Sequence, residues 1–176
     1  MKKILALGAS SSQNSINKQF AYHAAHQLND VEVTLIDLNV FEMPIFSVAR
    51  EKVDGVPEAA QRFKDLIKAS DGIILSLAEH NGSYTAAFKN LLDWTSRVEK
   101  GMWGGKPMFL LATSPGGRGG QTVLDLAITY FGYMDGKVVA HFSLPLFGQH
   151  FSADTGITDP ELSAQFKAQL QLFAAS

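Results

Sequence analysis

The stretch Ile73-Ile74-Leu75-Ser76-Leu77 is followed by the polar segment Ala78–Ser83 and then by Tyr84–Val98, in which apolar residues recur at i, i+3 and i+4. A short run that is apolar at nearly every position is typical of a parallel strand covered on both faces. The spacing in the third segment predicts an amphipathic helix. A buried strand, a polar loop and a helix in this order predict an α/β fold.

The same alternation of apolar runs and helical patterns extends along the whole chain. It predicts one domain, residues 1–176, with a five-stranded parallel sheet in the flavodoxin-like doubly wound order 2-1-3-4-5 and helices on both faces. The irregular stretch Asp37–Gly55 predicts a loop or short helix at the rim. The other strands are expected at Ile4–Leu7, Val31–Ile36, Met108–Ala112 and Val138–Phe142, and the other helices at Asn17–Leu28, Pro57–Ala69, Thr122–Phe131 and after the N-cap Asp159.

Composition excludes several classes of function. The 176 residues include no cysteine, which excludes disulfides, a thiol nucleophile and cysteine-held zinc or iron–sulfur centres, so redox chemistry would need a borrowed cofactor. A net charge of −2 gives no reason to expect a nucleic acid or an anionic membrane as partner. No run approaches the ~18 apolar residues of a spanning helix, and the apolar start favours a strand over a signal peptide. We therefore expect a cytoplasmic protein.

A loop rich in hydroxyl and amide side chains, Gly8–Asn17, joins the first strand to the first helix. Ligands of open α/β sheets bind beyond the carboxyl ends of the strands. Backbone N–H groups at a helix N-terminus bind anions, and serine hydroxyls can add further donors to a phosphate. The alternative is that Ser15 caps the helix and the other serines fill a turn.

The loop after the third strand carries Glu79 and His80 ahead of Asn81-Gly82. His80 could act as a base, a metal ligand or a flat stacking surface, but no second histidine lies nearby at a ligand-like spacing, so no metal site is predicted. Glu79 fits a structural or interface hydrogen bond at least as well as catalysis. Ser83 can cap the helix that follows.

The loop after the fourth strand, Ser114–Gly120, has four glycines in five positions, and Arg118 is its only charge. Glycines allow a backbone to approach a ligand closely and leave the N–H groups unobstructed. A mobile surface loop is the alternative.

These three segments resemble those of the NADPH-dependent FMN reductase family, which includes chromate, quinone and azo-dye reductases. The resemblance spans residues 2–145 and is most specific in its middle motif. It rests on Ala9-Ser10-x-Ser12-x-x-Ser15-Ile16-Asn17, on Glu79-His80-Asn81-Gly82-Ser83-Tyr84-Thr85 with Lys89-Asn90-x-x-Asp93-Trp94, and on Ser114-Pro115-Gly116-Gly117-x-Gly119-Gly120.

The resemblance implies an FMN site built from the three loops. The first loop would hold the phosphate, the middle loop would line the isoalloxazine ring, and the glycine-rich loop would form the other wall. No catalytic residue is assigned, and His80 and Arg118 are the candidates. The implied cofactor-binding residues are Ser10, Ser12, Ser15, Ile16, Asn17, Glu79, His80, Asn81, Gly82, Ser83, Ser114, Pro115, Gly116, Gly117 and Arg118.

The resemblance also implies an activity and an assembly. The activity is ping-pong transfer of hydride from NADPH or NADH to flavin N5 and on to a small acceptor, such as a quinone, azo compound, metal oxyanion or flavin. Family members are homodimers or homotetramers, which makes Glu79, Arg97 and the helix Tyr84–Val98 candidate interface elements, although burial within the monomer explains that helix equally well.

The sequence departs from the common pattern of the family at two positions, and one rival function remains to be distinguished. Ser12 stands where many members have arginine, which leaves the preference between NADPH and NADH open, and His80 replaces a common tyrosine. The rival is a flavodoxin-type electron carrier without NAD(P)H reductase activity. Such carriers tend to be strongly acidic, and the charge of −2 favours the reductase.

Overall fold

The computed structural model describes all 176 residues. Its main sheet has five strands in the order β2-β1-β3-β6-β7, and every neighbouring pair is parallel. When these five strands are numbered 1 to 5 in chain order, their order in the sheet is 2-1-3-4-5. The predicted fold is therefore confirmed. The strands are β1 (Lys2–Ala9), β2 (Val31–Asp37), β3 (Gly72–Leu77), β6 (Pro107–Thr113) and β7 (Lys137–Leu144).

Seven α-helices surround the sheet, and both of its faces are covered. Phe20 and Phe166 belong to the buried cluster on the face of the first and last helices, whereas Phe63, Phe88 and Phe131 belong to the larger cluster on the other face. This two-sided cover explains why the central strands are apolar throughout. The helices are α1 (Ile16–His26), α2 (Val48–Asp54), α3 (Glu58–Ala69), α4 (Ala86–Val98), α5 (Gln121–Phe131), α6 (Phe147–His150) and α7 (Pro160–Ala174).

The helix that follows β3 is capped by Thr85, not by Ser83 as the sequence suggested. The Thr85 hydroxyl accepts a hydrogen bond from the Phe88 N–H at 3.2 Å. Ser83 instead pairs with His80 across a small antiparallel hairpin, β4 (Glu79–His80) and β5 (Ser83–Tyr84). Asn81 and Gly82 both have positive φ, as a tight hairpin turn requires. The predicted loop is therefore an ordered hairpin.

The remaining segments are short. Asp37–Gly55 contains a 3₁₀ turn at Leu38–Phe41 and the helix α2, as expected for a loop with a short helix. A second hairpin that the sequence did not predict, β8 (Phe151–Ser152) and β9 (Gly156–Ile157), follows α6. None of the helices combines the length and the apolar character that crossing a membrane requires.

Candidate functional site

The loops after β1, β3 and β6 meet at the carboxyl edge of the sheet and line a cleft of about 290 Å³. Only two of its twelve lining residues are hydrophobic, which suits a polar or charged ligand. The predicted residues Asn81, Gly82, Ser83, Gly116, Gly117 and Arg118 lie on the adjoining turns and outside this lining. The lining residues are Ser10, Ser12, Asn14, Ser15, Ile16, Asn17, Ala78, Glu79, His80, Thr113, Ser114 and Pro115.

The first loop reaches the cleft because α1 packs very close to the end of β1. A Cβ atom on Gly8 would lie 2.3 Å from the Lys18 backbone nitrogen, so only glycine fits there. The Lys18 ammonium also donates to the carboxylate of Asp37, the last residue of β2, at 2.6 Å. This hydrogen bond lowers the pKa of Asp37 and raises the pKa of Lys18. The two residues hold the start of α1 against the end of β2.

Several backbone N–H groups of the first loop have no hydrogen-bond partner within the chain. They include those of Gln13 and Asn14 in the loop and those of Ile16 and Asn17 in the first turn of α1. Ser15 is the N-cap, and its hydroxyl accepts from the Lys18 N–H at 3.1 Å. Free N–H groups at a helix N-terminus, together with the positive end of the helix dipole, favour an anion. The capping role and an anion site are thus compatible.

Asn17 ties α1 to two strands of the sheet. Its side-chain oxygen accepts from the Ser76 hydroxyl at 2.7 Å and from the Thr113 N–H at 3.1 Å, and its side-chain nitrogen donates to the Thr113 carbonyl at 3.1 Å. The residue is only 3% exposed. The side chain is therefore committed to the fold, and the backbone N–H of Asn17 is the group left free for a ligand.

The hairpin after β3 places one side chain in a structural role and another at the cleft. The Glu79 carboxylate accepts from the Val123 N–H at 3.1 Å and so caps α5, whose own N-cap residue, Gly120, has no side chain. This contact supports the structural alternative for Glu79. His80 is exposed, lines the cleft and makes no side-chain hydrogen bond within the chain.

The glycines of the third loop divide into two kinds. Gly119 and Gly120 have positive φ, and added Cβ atoms would lie 2.4 Å from the Ser143 hydroxyl and 3.1 Å from the Ala112 Cβ, so the fold itself requires both glycines. Gly116 and Gly117 have neither constraint, and a Cβ on Gly117 would point into open space. Their N–H groups also have no partner within the chain. The fold does not explain these two glycines, whereas a ligand close to the backbone would.

The segment after β7 fixes this third loop. The N–H groups of Leu146 and Phe147 donate to the carbonyls of Gly116 and Ser114, both at 3.1 Å. The Arg118 guanidinium donates to the Thr122 hydroxyl at 2.7 Å and does not line the cleft. A role for Arg118 in binding or catalysis stays a prediction. Asn14, Ala78 and Thr113 also line the cleft, although none of them was predicted as a site residue. Asn14 and Ala78 belong to loop segments that the sequence analysis singled out, and Thr113 directly precedes the third one.

A family model described as NADPH-dependent FMN reductase matches residues 2–149 of the chain. The chain belongs to this family. The motifs of the three loops predicted this membership, and the match confirms it. It extends from β1 through all five strands of the main sheet and ends within α6.

Two relatives of this family member have reductase names. A 2-hydroxy-1,4-benzoquinone reductase of Burkholderia sp. is 34% identical over 118 residues, which are 66% of this chain and 63% of the relative. An NADPH azoreductase of Bacillus sp. (strain OY1-2) is 34% identical over 102 residues, 58% of this chain and 54% of the relative. The matched part thus spans 54–63% of the length of these two relatives.

Solved structures agree on the fold of the reductase family member. FerB, a flavoenzyme NAD(P)H:(acceptor) oxidoreductase from Paracoccus denitrificans, superposes with a TM-score of 0.78 at 22% identity, covering 99% of this chain and 96% of FerB. The apo form of the NADH:FMN oxidoreductase EMOB superposes with a TM-score of 0.76 at 21% identity, covering 99% of this chain and 89% of EMOB. At these identities the likeness shows the flavodoxin-like fold.

Proposed function

We propose that this protein is an FMN-dependent NAD(P)H oxidoreductase that reduces a small organic acceptor such as a quinone or an azo compound. Family membership supports the cofactor and the donor. The observation that carries the proposal is the set of unpaired backbone N–H groups on two facing loops around one polar cleft. Such a cleft suits a ligand with an anionic end and a flat polar ring.

The first loop would hold the phosphate of FMN. The hydroxyls of Ser10, Ser12 and Ser15 and the free N–H groups of Ile16 and Asn17 are the available donors. Hydroxyl and N–H donors at a helix N-terminus can bind a phosphate without an arginine, so serine at position 12 is compatible with FMN. No residue of the loop itself is cationic, and the Lys18 ammonium that donates to the Gln13 carbonyl is paired with Asp37, so the helix dipole contributes to the positive potential.

The hairpin and the glycine-rich loop would hold the ring. His80 offers a flat exposed surface in the hairpin, and the N–H groups of Gly116 and Gly117 are free donors in the glycine-rich loop. Fixed N–H donors stabilise negative charge that develops on a bound group. When bound, FMN supplies the two-electron chemistry that the side chains of this chain lack. In the overall reaction, one NAD(P)H and one proton convert a quinone to a hydroquinone and leave NAD(P)⁺.

We propose that the protein is a homodimer or homotetramer in the cytoplasm, where NAD(P)H is regenerated. Exposed apolar side chains support self-association: Ile45 and Val53 on the segment before α3 and Tyr133 after α5 are each at least 79% exposed. Its proposed partner is a small-molecule electron acceptor, and we expect neither nucleic acid nor a membrane as a partner.

The test is a spectrum followed by rapid kinetics. The purified protein should be yellow and should release FMN on denaturation, and mixing with NADPH or NADH in a stopped-flow instrument should bleach the flavin. A protein that is colourless after incubation with FMN and removal of the unbound flavin would refute the proposal. A yellow protein that neither donor bleaches would favour the flavodoxin-type carrier. Separate rates for the two donors would settle the preference that Ser12 leaves open.

A further inference from the structure

The glycine-rich loop Ser114–Gly120 has few side chains with which to hold its own shape. Glycine loses more conformational freedom than any other residue when a chain becomes ordered. A loop that becomes ordered only when its ligand arrives therefore binds more weakly than a loop that is already fixed. The contacts that fix this loop thus bear directly on the affinity of the proposed flavin site.

The loop is held from outside by the segment Leu146–Thr158, which we call the brace. The brace contains α6 and the hairpin of β8 and β9. At its start, the N–H groups of Leu146 and Phe147 donate to the carbonyls of Gly116 and Ser114, both at 3.1 Å. These two bonds use carbonyl groups of the loop and leave its free N–H groups untouched. The brace therefore fixes the loop without occupying the donors that a ligand would use.

The backbone of the brace is constrained at both of its ends. Leu146 has φ +48°, a left-handed conformation that a leucine keeps only where the surrounding structure holds it. At the other end, the Thr158 N–H donates to the His150 carbonyl at 2.9 Å, and the Thr158 hydroxyl donates to the Gln149 carbonyl at 3.3 Å. These bonds close the hairpin onto α6.

Phe147 connects the loop contact to the packing of the brace. Its side chain is only 7% exposed, and its ring stacks on the Phe151 ring with the two centroids 4.6 Å apart. The Phe151 ring in turn packs edge-on against the rings of Phe20 and His23 on α1. The hairpin lies close to the same helix, since a Cβ atom on Gly156 would be 2.2 Å from the His23 ring. The N–H of Phe147 thus binds the loop while its ring is held by neighbouring aromatic rings.

We infer that Phe147 is a positioning residue for the flavin: its buried ring holds the brace, and the brace fixes the glycine-rich loop in the conformation that binds the ring of FMN. This inference rests on the proposed function, because it concerns the flavin of that proposal. Phe147 does not line the cleft, so it acts only through the N–H donors of Gly116 and Gly117. Its side chain should therefore affect binding of the isoalloxazine ring and not binding of the phosphate.

The experiment compares the Kd of FMN with the Kd of riboflavin, which has the ring without the phosphate. Phe147→Leu keeps an apolar side chain but removes the stacked ring, and should raise both Kd values about tenfold, the order of one or two hydrogen bonds. The ratio of the two Kd values should not change, because the first loop is intact.

Phe173→Leu is the matched control. Phe173 is 3% exposed and belongs to the same apolar cluster as Phe147, but it lies on α7 beside Gly72, at the opposite edge of the sheet. This variant should lower the free energy of unfolding without changing either Kd.

A second pair of variants tests the stack from its other side. Phe151 is half-buried, so its replacement should cost less stability than replacement of Phe147. Phe151→Leu should raise the Kd of both flavins about threefold, the order of one lost aromatic pair. Phe151→Tyr keeps the stacked ring and should bind both flavins as the wild type does.

Three outcomes would overturn the inference: unchanged Kd values in Phe147→Leu, the same rise in Phe173→Leu, or a rise for FMN alone. The last would place the effect at the first loop. If Phe147→Leu does not fold, the Phe151 pair decides, and equal binding by Phe151→Leu and Phe151→Tyr overturns the inference.

The wild type keeps the two proposals apart. If it binds neither flavin, or if NAD(P)H does not bleach the bound FMN, the proposed function fails. If the wild type binds FMN and is bleached normally, and Phe147→Leu binds both flavins equally tightly, only the present inference fails.

Discussion

Single residues of the site divide into those that the fold needs and those that it does not. Gly120 has φ +76° and is the N-cap of α5, whereas Gly117 does not have a positive φ and has open space where a side chain would be. Both belong to one glycine-rich loop, and the sequence alone could not show that their roles differ. The separation matters because only residues without a structural duty are free to serve a ligand.

Gly117→Ala and Gly120→Ala should therefore have opposite effects. Gly117→Ala should leave the free energy of unfolding of the FMN-free protein unchanged or raise it by up to about 1 kcal/mol, and should weaken FMN binding about tenfold. Gly120→Ala forces a side chain into the left-handed region and should cost about 1–2 kcal/mol of stability. Urea unfolding of the FMN-free proteins and titration with FMN measure the two effects. Unchanged FMN affinity in Gly117→Ala would remove this loop from the site.

Tyr84 is a buried residue whose hydroxyl has no hydrogen-bond partner. It packs between the rings of Phe88 and Phe131, and burial raises its pKa to about 12. The unfolded chain binds this proton less tightly, since a free tyrosine has a pKa near 10. The raised pKa therefore contributes stability that is complete below about pH 10 and is lost as the pH rises toward about 12.

Tyr84→Phe should reduce the fall in the free energy of unfolding between about pH 10 and pH 12. At neutral pH the variant should be as stable as the wild type or slightly more stable, because phenylalanine removes an unpaired buried hydroxyl. Urea unfolding at about pH 8 and pH 11 should show that the free energy of unfolding falls less in Tyr84→Phe than in the wild type. Tyr133→Phe, at a side chain that is 82% exposed, is the control. If Tyr84→Phe loses as much unfolding free energy at alkaline pH as the wild type, Tyr84 is not the source of the pH dependence.

Elements of the site depend on contacts between residues far apart in the chain. The apolar runs predicted all five strands of the main sheet, because two-sided burial leaves a strong local pattern. Glu79 and Val123 are 44 positions apart, and Asn90 holds backbone groups at positions 43, 44 and 46, so no local pattern could predict either contact. The hairpin of β4 and β5 was not predicted, because two-residue strands are too short to show an alternation of apolar and polar residues. Asn81-Gly82 is nevertheless a turn signal.

The remote cap of α5 gives a test at the scale of the element. Glu79→Ala removes the acceptor of the Val123 N–H and should lower the free energy of unfolding by about 1 kcal/mol. Glu79→Gln keeps an acceptor oxygen and should recover much of this loss. Urea unfolding of the FMN-free proteins is the measurement, since it excludes effects on the ligand. Equal stability of Glu79→Ala and the wild type would return Glu79 to the candidates for catalysis or for an interface.

The whole molecule places its polar cleft at the carboxyl edge of the parallel sheet, where the loops after β1, β3 and β6 meet. With no cysteine or disulfide, its stability rests on the two apolar clusters that cover the sheet. The loops at the carboxyl edge carry N–H groups that lack partners in the chain alone. A ligand that satisfies these groups should therefore stabilise the entire fold, because it binds the folded state and not the unfolded one.

FMN should raise the free energy of unfolding by about 2.7 kcal/mol when present at 100 times its Kd, and riboflavin, which lacks the phosphate, should stabilise much less at the same concentration. The difference measures the phosphate contact with the first loop, where Ser10, Ser12 and Ser15 lie beside the free N–H groups of α1. Thermal unfolding with each ligand, and with inorganic phosphate alone, provides the measurement. Ser12→Ala should narrow the gap between FMN and riboflavin without changing the stability of the FMN-free protein, because Ser12 is exposed and its hydroxyl makes no hydrogen bond within the chain. If riboflavin stabilises the protein as strongly as FMN does, the phosphate does not bind in the first loop, and the anion site proposed there is wrong.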